Sequence, residues 1–236
     1  MLITDNPIWF TPTQAYSDYQ GEVSRVGLKE VNTLTKYQKI RETRTLAILC
    51  LAIFKMTGSP WYLQLVSDES TDGRIMSPIS KTPGVPAVGN VEISSYTASS
   101  DGRLPLDSAI DRLKKTKAPE SHHEYGVHDL VVVELGVGIK PNFEEIAAYL
   151  RSINAPYGLW YLQQVELDNP NSIAEVTICN PTVEKFRLDV GEAEHELREQ
   201  GIRGKYRARR TGDVSKAGLI DKSTNEIING APWDNM

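Results

Sequence analysis

Hydrophobic and polar positions follow helical periods in some stretches of the chain and strand periods in others. The longest helical pattern covers 34–56, and its second half, TLAILCLAIFKM, is apolar on most of its surface. We expect such a helix to be buried, to be capped by Thr33 or Thr35, and to end at Gly58 and Pro60. Shorter runs rich in branched and aromatic residues predict strands at 61–66, 74–80, 90–98, 129–135, 158–167, 173–179 and 183–190.

Further helical patterns lie between and after these strands. They cover 107–117, a stretch that opens at Pro141–Phe143, and 192–200. This order implies a mixed sheet with helices on both faces, and the continuous apolar run LVVVEL fits a central strand. We therefore predict an α/β fold with a central mixed β-sheet flanked by helices. We expect an N-terminal arm at 1–33, an α/β core domain at 34–200, and a basic, loosely ordered C-terminal tail at 201–236.

Composition narrows the class of protein. The chain has 236 residues, of which 40% are hydrophobic, so it can bury a sizeable core. A net charge of −5 argues against a surface that binds nucleic acid throughout, but it leaves room for a local basic groove. Cys50 and Cys179 lie in apolar runs and are expected to be buried thiols. The longest apolar run, 46–54, is shorter than the ~20 residues that span a bilayer, so we expect a soluble cytoplasmic protein without a membrane span.

Two groups of acidic residues carry candidate chemistry. The turn at 67–73 contains Asp68, Glu69 and Asp72, and Asp72-Gly73 is typical of a hairpin. Glu92 is the lone acid in the predicted strand VEISSY. The ordinary alternatives are a solvated turn and an exposed acid on a half-buried strand. Another acid, Glu134, lies inside LVVVEL, where an unpaired charge would be costly, so we expect it at the strand end or beside a basic group.

The order of these acids resembles a known family. Glu42 lies in the first helix, Asp72 begins the second strand, and Glu92-Ile93-Ser94 lies on the third strand, 20 positions after Asp72. Over about residues 34–165 this pattern resembles the restriction-endonuclease-like fold of the PD-(D/E)XK nuclease superfamily. The resemblance implies that Asp72 and Glu92 bind Mg²⁺, that Glu42 is auxiliary, and that Ser94 stands where the family usually has Lys. The Pro-Asp dipeptide of the family motif is missing.

The chemistry implied by the resemblance depends on paired carboxylates. Two of them on adjacent strands can share Mg²⁺, which lowers the pKa of bound water and stabilises charge on the scissile phosphate. Ser94 would share a strand face with Glu92, because side chains alternate along a strand. A serine can hydrogen-bond a water molecule but brings no positive charge. For Glu42 the alternative is a solvated helix end that it shares with Arg44.

Basic and histidine-rich segments offer other sites. The C-terminal run suits contact with a phosphate backbone and one stacked base, or it is a solvated tail. Its candidate residues are Arg203, Lys205, Tyr206, Arg207, Arg209 and Arg210. The lysines at 114, 115 and 117 form a second basic face. The histidines at 122, 123 and 128 lack the ligand spacing of a zinc site, which favours a surface loop, and GVGIKP at 136–141 fits an ordinary strand exit.

These patterns leave three functions open. The first is a Mg²⁺-dependent endonuclease that cuts DNA. The second is a catalytically inactive subunit with the same fold, which binds nucleic acid or protein partners in a phage, mobile-element or defence complex, or forms a homodimer. The third is an α/β protein without a nucleic-acid role, in which the acidic turn is only surface.

Overall fold

A computed structural model describes most of the chain, in two compact units. The described residues are 8–66, 71–77, 87–96, 103–104, 130–136, 138–155, 157–164, 173–180, 182–202, 204–209 and 218–221. Unit 1 comprises Met1–Val66, Gly73–Val88 and Glu192–Met236, and unit 2 comprises Ser67–Asp72 and Gly89–Gly191. The described residues form an α/β fold with a mixed β-sheet and flanking helices, which confirms the predicted class.

The helices and strands follow one another in this order. The first part of the chain forms β1 (Ile8–Phe10), α1 (Pro12–Val26), α2 (Leu28–Thr33), a 3₁₀ turn (Thr35–Tyr37), α3 (Gln38–Thr57), β2 (Tyr62–Leu65), β3 (Gly73–Ser77) and β4 (Ala87–Tyr96). The middle forms β5 (Arg103–Leu104), β6 (Leu130–Leu135), β7 (Lys140–Pro141), α4 (Phe143–Ser152), β8 (Gly158–Gln164), β9 (Ile173–Ile178) and β10 (Glu184–Asp189). The last described elements are α5 (Val190–Glu199), β11 (Lys205–Arg209) and β12 (Gly218–Asp221).

Unit 1 joins the two ends of the chain in one antiparallel sheet. Its strands follow the order β3-β2-β1-β11-β12, and Trp9 of β1 aligns with Tyr206 of β11. Residues 205–209 and 218–221 of the predicted loosely ordered tail are therefore strands. The basic composition of 205–209 did not indicate a strand, because its pairing partner β1 lies about 200 positions earlier in the chain.

Helix α3 is the buried helix of unit 1, as its apolar second half predicts. Every residue from Leu46 to Phe54 is buried, and α1, β2 and β3 pack against the helix. It ends as expected at Gly58, which adopts a φ of 70° and donates its N–H to the Phe54 carbonyl at 2.7 Å. The predicted caps Thr33 and Thr35 are wrong. A 3₁₀ turn intervenes, and Tyr37 precedes the first helical turn without a side-chain hydrogen bond to it.

Unit 2 contains a mixed sheet covered by α4. Its strand order is β4-β6-β8-β9-β10. Strands β4, β6 and β8 are parallel to one another, β9 pairs antiparallel with β8, and β10 pairs antiparallel with β9. As predicted, LVVVEL is an inner strand. The α4 residues Ile146, Ala147 and Leu150 pack with buried side chains of β6 and β8. Asn142 is the N-cap of helix α4, and its side-chain Oδ1 accepts the Glu145 N–H at 3.4 Å.

Several predictions concern other parts of the chain. Three of them lie outside the described residues: the helix at 107–117, the acids Asp68 and Glu69, and the three histidines.

Cys50 and Cys179 are buried free thiols, as expected. Within the part of the chain that the structure describes, no helix has the length and apolar character needed to cross a membrane.

Candidate active site

Thr71 and Asp72, at the end of the predicted acidic turn, are tied to β4 in unit 2. The hydroxyl of Thr71 donates to the Val91 carbonyl at 2.9 Å, and Oδ2 of Asp72 accepts the Ile93 N–H at 2.8 Å. These two hydrogen bonds reach β4 on either side of Glu92. Val91 and Ile93 direct their backbone groups to the same edge of the strand, because successive residues alternate in a sheet. The dipeptide therefore supplies two polar partners to that edge of β4.

Glu92 occupies the position on β4 between these two bonds. It is partly buried, and in the parallel ladder it aligns with Val131 of β6. The carboxylate of Asp72 thus contacts the backbone amide of the residue next to Glu92. The sequence left open whether these two acids meet; the hydrogen bond places Asp72 beside the backbone of the residue that follows Glu92.

Ser94 lies two residues beyond Glu92 and is also partly buried. Because β4 is a regular strand over these residues, Ser94 and Glu92 point to the same face. A hydroxyl therefore lies on the same strand face as Glu92, two positions after it.

Glu42 belongs to unit 1 and makes its contacts within α3. Oε1 accepts a hydrogen bond from the Gln38 side chain at 2.8 Å, and Oε2 forms an ion pair with Lys39 at 2.8 Å. Glu42 and Arg44 are each only 6% exposed, so the interpretation of this turn as a solvated helix end is wrong. The reason is the packing of α1: Arg44 donates to the Tyr19 hydroxyl at 3.2 Å and lies over its ring.

The basic run at the C-terminus contributes backbone to the unit 1 sheet. Lys205, Tyr206, Arg207 and Arg209 lie in β11, while Arg203 and Arg210 lie outside the described residues. Contact between their side chains and phosphate stays a prediction. Glu134 is the penultimate residue of β6 and is partly buried, in agreement with its expected position at the strand end.

The donor set for a metal is small. Among the described residues, no group of three or more His, Cys, Asp or Glu side chains is arranged to hold a metal ion. Mg²⁺ needs fewer protein ligands, since it usually keeps several waters and binds through one or two carboxylates together with substrate phosphates. A carboxylate also has about four lone-pair sites, so a hydrogen bond to it does not exclude metal coordination. Asp72 and Glu92 therefore fit Mg²⁺ by donor type.

Glycines after β6 form the expected strand exit. Gly136 donates its N–H to the Tyr96 carbonyl at 2.8 Å, and Gly138 adopts a φ of 81° before the chain enters β7.

Comparison with protein-family models and with curated proteins found no match for the chain. Function is therefore inferred from the residues and their geometry.

Proposed function

We propose that this protein is a metal-dependent, nuclease-like protein that acts on DNA phosphodiester bonds, with Asp72 and Glu92 as the Mg²⁺ ligands. The observation that carries the proposal is the hydrogen bond from the Ile93 N–H to Asp72. It holds one carboxylate beside the strand position that carries the other. The two acids are 20 positions apart in the sequence, and this bond supports the proposal that their carboxylates share a metal ion.

The order of the elements also supports the proposal. The buried helix α3 is followed by the antiparallel strands β2 and β3, by β4 with Glu92, and by β6 parallel to β4. This is the order of helix, three strands and central strand that a restriction-endonuclease-like core requires. We propose that core for this chain on these grounds.

Each residue of the site has a separate task. Mg²⁺, when bound, would lower the pKa of a water molecule and stabilise negative charge on the phosphate. Asp72 is oriented by the Ile93 N–H, so its carboxylate is fixed before any ligand arrives. Glu92 supplies the second carboxylate from a partly buried strand. Ser94, on the same face, can hydrogen-bond the attacking water, but it cannot stabilise developing negative charge as a lysine would.

Ser94 is also the specific observation that favours a second function. A site without the motif lysine fits a catalytically inactive subunit that keeps the fold and binds nucleic acid or protein partners. The two functions differ in one property: only the first requires that the carboxylates bind metal and support cleavage.

Cleavage of supercoiled plasmid DNA in Mg²⁺ or Mn²⁺ tests the proposal. Asp72→Asn retains an oxygen that accepts the Ile93 N–H, and Glu92→Gln keeps the side-chain shape, so both remove charge with little change in packing. We expect each to lower the cleavage rate by on the order of 100-fold, since a metal supplies several kcal/mol of charge stabilisation.

Glu184→Gln is the matched control, because Glu184 is an exposed acid on β10 of the same unit. It should cleave as the natural protein does. Absence of metal-dependent cleavage by the folded natural protein would contradict the nuclease proposal and favour the inactive subunit. Equal cleavage by the natural protein and the Glu92→Gln variant would remove Glu92 from the site.

A further inference from the structure

A cavity of about 520 Å³ opens in unit 2, beside the start of α4. Residues of β8, β9 and β10 form its floor, and Ile139, Pro141 and Phe143 belong to its wall. Its volume lies within the range of about 300–1,000 Å³ that is usual for small-ligand sites. Asp72, Glu92 and Ser94 do not line it, so the cavity is separate from the proposed metal site.

The strand registers place the polar residues of the floor in two parallel rows. One row runs across Tyr161, Thr177 and Lys185, which are aligned partners on β8, β9 and β10. The next row runs across Gln163, Glu175 and Arg187. Residues two apart on a strand share a face, so both rows lie side by side on the same surface. Each row ends in a cation on β10.

An aromatic pair forms the apolar part of the cavity. The rings of Phe143 and Tyr161 meet edge to face, with centroids 5.2 Å apart. The ammonium of Lys185 lies 4.6 Å from the Phe143 centroid, in a cation–π contact. A positive charge is therefore held directly beside aromatic surface.

The polar side chains of the second row offer hydrogen-bond acceptors. Nε2 of Gln163 donates to the Gly136 carbonyl at 2.9 Å and to the Ile139 carbonyl at 3.2 Å. Both N–H groups of this amide are thereby used, and Oε1 is the group that it offers to a ligand. Glu175, the exposed neighbour of Gln163 in the row, adds a carboxylate acceptor.

We propose that this cavity binds a nucleotide, with its base against Phe143 and its phosphate at Lys185 and Arg187. A nucleotide joins a planar ring, N–H donors on the ring edge and an anionic group. The cavity offers aromatic surface, acceptors and cations to match these three features. A free mononucleotide and an unpaired nucleotide of a strand share this chemistry. The proposal does not rest on metal binding at Asp72 and Glu92.

Isothermal titration calorimetry in EDTA tests the site without any metal-dependent step. The titrants are AMP, GMP, CMP, UMP, a short oligothymidylate and the uncharged nucleoside adenosine. We expect saturable binding of at least one mononucleotide if the source is a free nucleotide, and of the oligothymidylate alone if it is a strand. Where AMP binds, adenosine should bind about tenfold more weakly, because it lacks the anionic group.

Variants locate the binding within the cavity. Lys185→Gln removes an exposed charge, and Phe143→Leu removes an aromatic face; each should weaken binding about tenfold. Arg151→Gln, an exposed cation on the last turn of α4 outside the cavity lining, should leave binding unchanged.

Three outcomes would overturn the proposal: no saturable binding by folded protein, equal affinity for AMP and adenosine, or unchanged binding in both Lys185→Gln and Phe143→Leu. A loss of DNA cleavage in Glu92→Gln with nucleotide binding retained would separate this site from the proposed metal site.

Discussion

At the scale of single residues, Asp72 is the side chain on which the proposed metal site depends. A hydrogen bond from a backbone N–H to a carboxylate is among the stronger ones in proteins, at roughly 1.5–3 kcal/mol. The bond from Ile93 therefore fixes Asp72 whether or not a metal is bound. It also gives Asp72 a structural task, so a loss of function in Asp72→Ala alone would not separate folding from chemistry. Asp72→Asn avoids that ambiguity.

Glu194 gives a residue-scale prediction about pH. Burial raises the pKa of its carboxyl to about 7, and Arg198, 3.7 Å away, offsets this only in part. Its Oε1 is buried and has no hydrogen-bond partner among the described residues. Because the folded-state pKa is above the unfolded value of 4.5, the stability contributed by the neutral form is present below pH 4.5. It is lost as the pH rises through about 7.

Glu194→Gln should therefore reduce the loss of stability between pH 5 and pH 8. We expect that loss to be smaller by on the order of 1–2 kcal/mol, measured by urea denaturation at both pH values. Glu199→Gln, an exposed acid on the same helix, is the control and should leave the difference nearly unchanged. The same pH dependence in the natural protein and Glu194→Gln would contradict the assignment.

At the scale of elements, α3 and β3 fit closely at Gly73. A Cβ at this position would meet the Cδ1 atom of Leu46, which is fully buried, and would lie 3.1 Å from the Gln64 carbonyl. Gly73→Ala should therefore destabilise the protein by about 1–3 kcal/mol through overpacking. Adding Leu46→Ala should make the combined loss smaller than the sum of the two single losses. Denaturant unfolding of the four proteins in this cycle measures the coupling.

Gly21→Ala is the control for backbone effects. Gly21 lies within α1, and a Cβ there would meet no atom within 4 Å. Alanine favours a helix interior over glycine, so this variant should be as stable as the natural protein or more stable by up to about 1 kcal/mol. Additive losses for Gly73→Ala and Leu46→Ala would show that the two residues do not compete for the same space.

Hydrophobic patterns predicted most of the regular elements but not the short ones. The buried half of α3, strands β2 to β4, strand β6 and strands β8 to β10 were predictable, because each carries its own apolar period or branched residues. Strands β1 and β11 were not predicted. β1 has only three residues, and both strands gain their order by pairing with each other across the chain. The composition of each strand alone does not indicate which strand it pairs with.

At the scale of the whole molecule, the sequence predicted the α/β class with its mixed sheet and suggested Asp72 and Glu92 as a pair. It could not predict the strand registers, which determine what meets in space. It also could not predict the hydrogen bond from Ile93 to Asp72, which joins residues 21 positions apart. The alignment of Tyr161, Thr177 and Lys185 in the cavity depends on the strand registers, and no sequence motif marked it. Residues of the cavity were missed because they are spread over six elements, from β6 to β10.

Binding of Mn²⁺, a spectroscopic substitute for Mg²⁺, is the direct test of whether Asp72 and Glu92 are metal ligands. Electron paramagnetic resonance would follow free Mn²⁺ during titration of the natural protein, Asp72→Asn, Glu92→Gln and the control Glu184→Gln. We expect saturable Mn²⁺ binding by the natural protein and by Glu184→Gln, and we expect the Asp72 and Glu92 variants to lose this binding. Undiminished binding in those two variants, or no saturable binding by the natural protein, would contradict the proposed metal site.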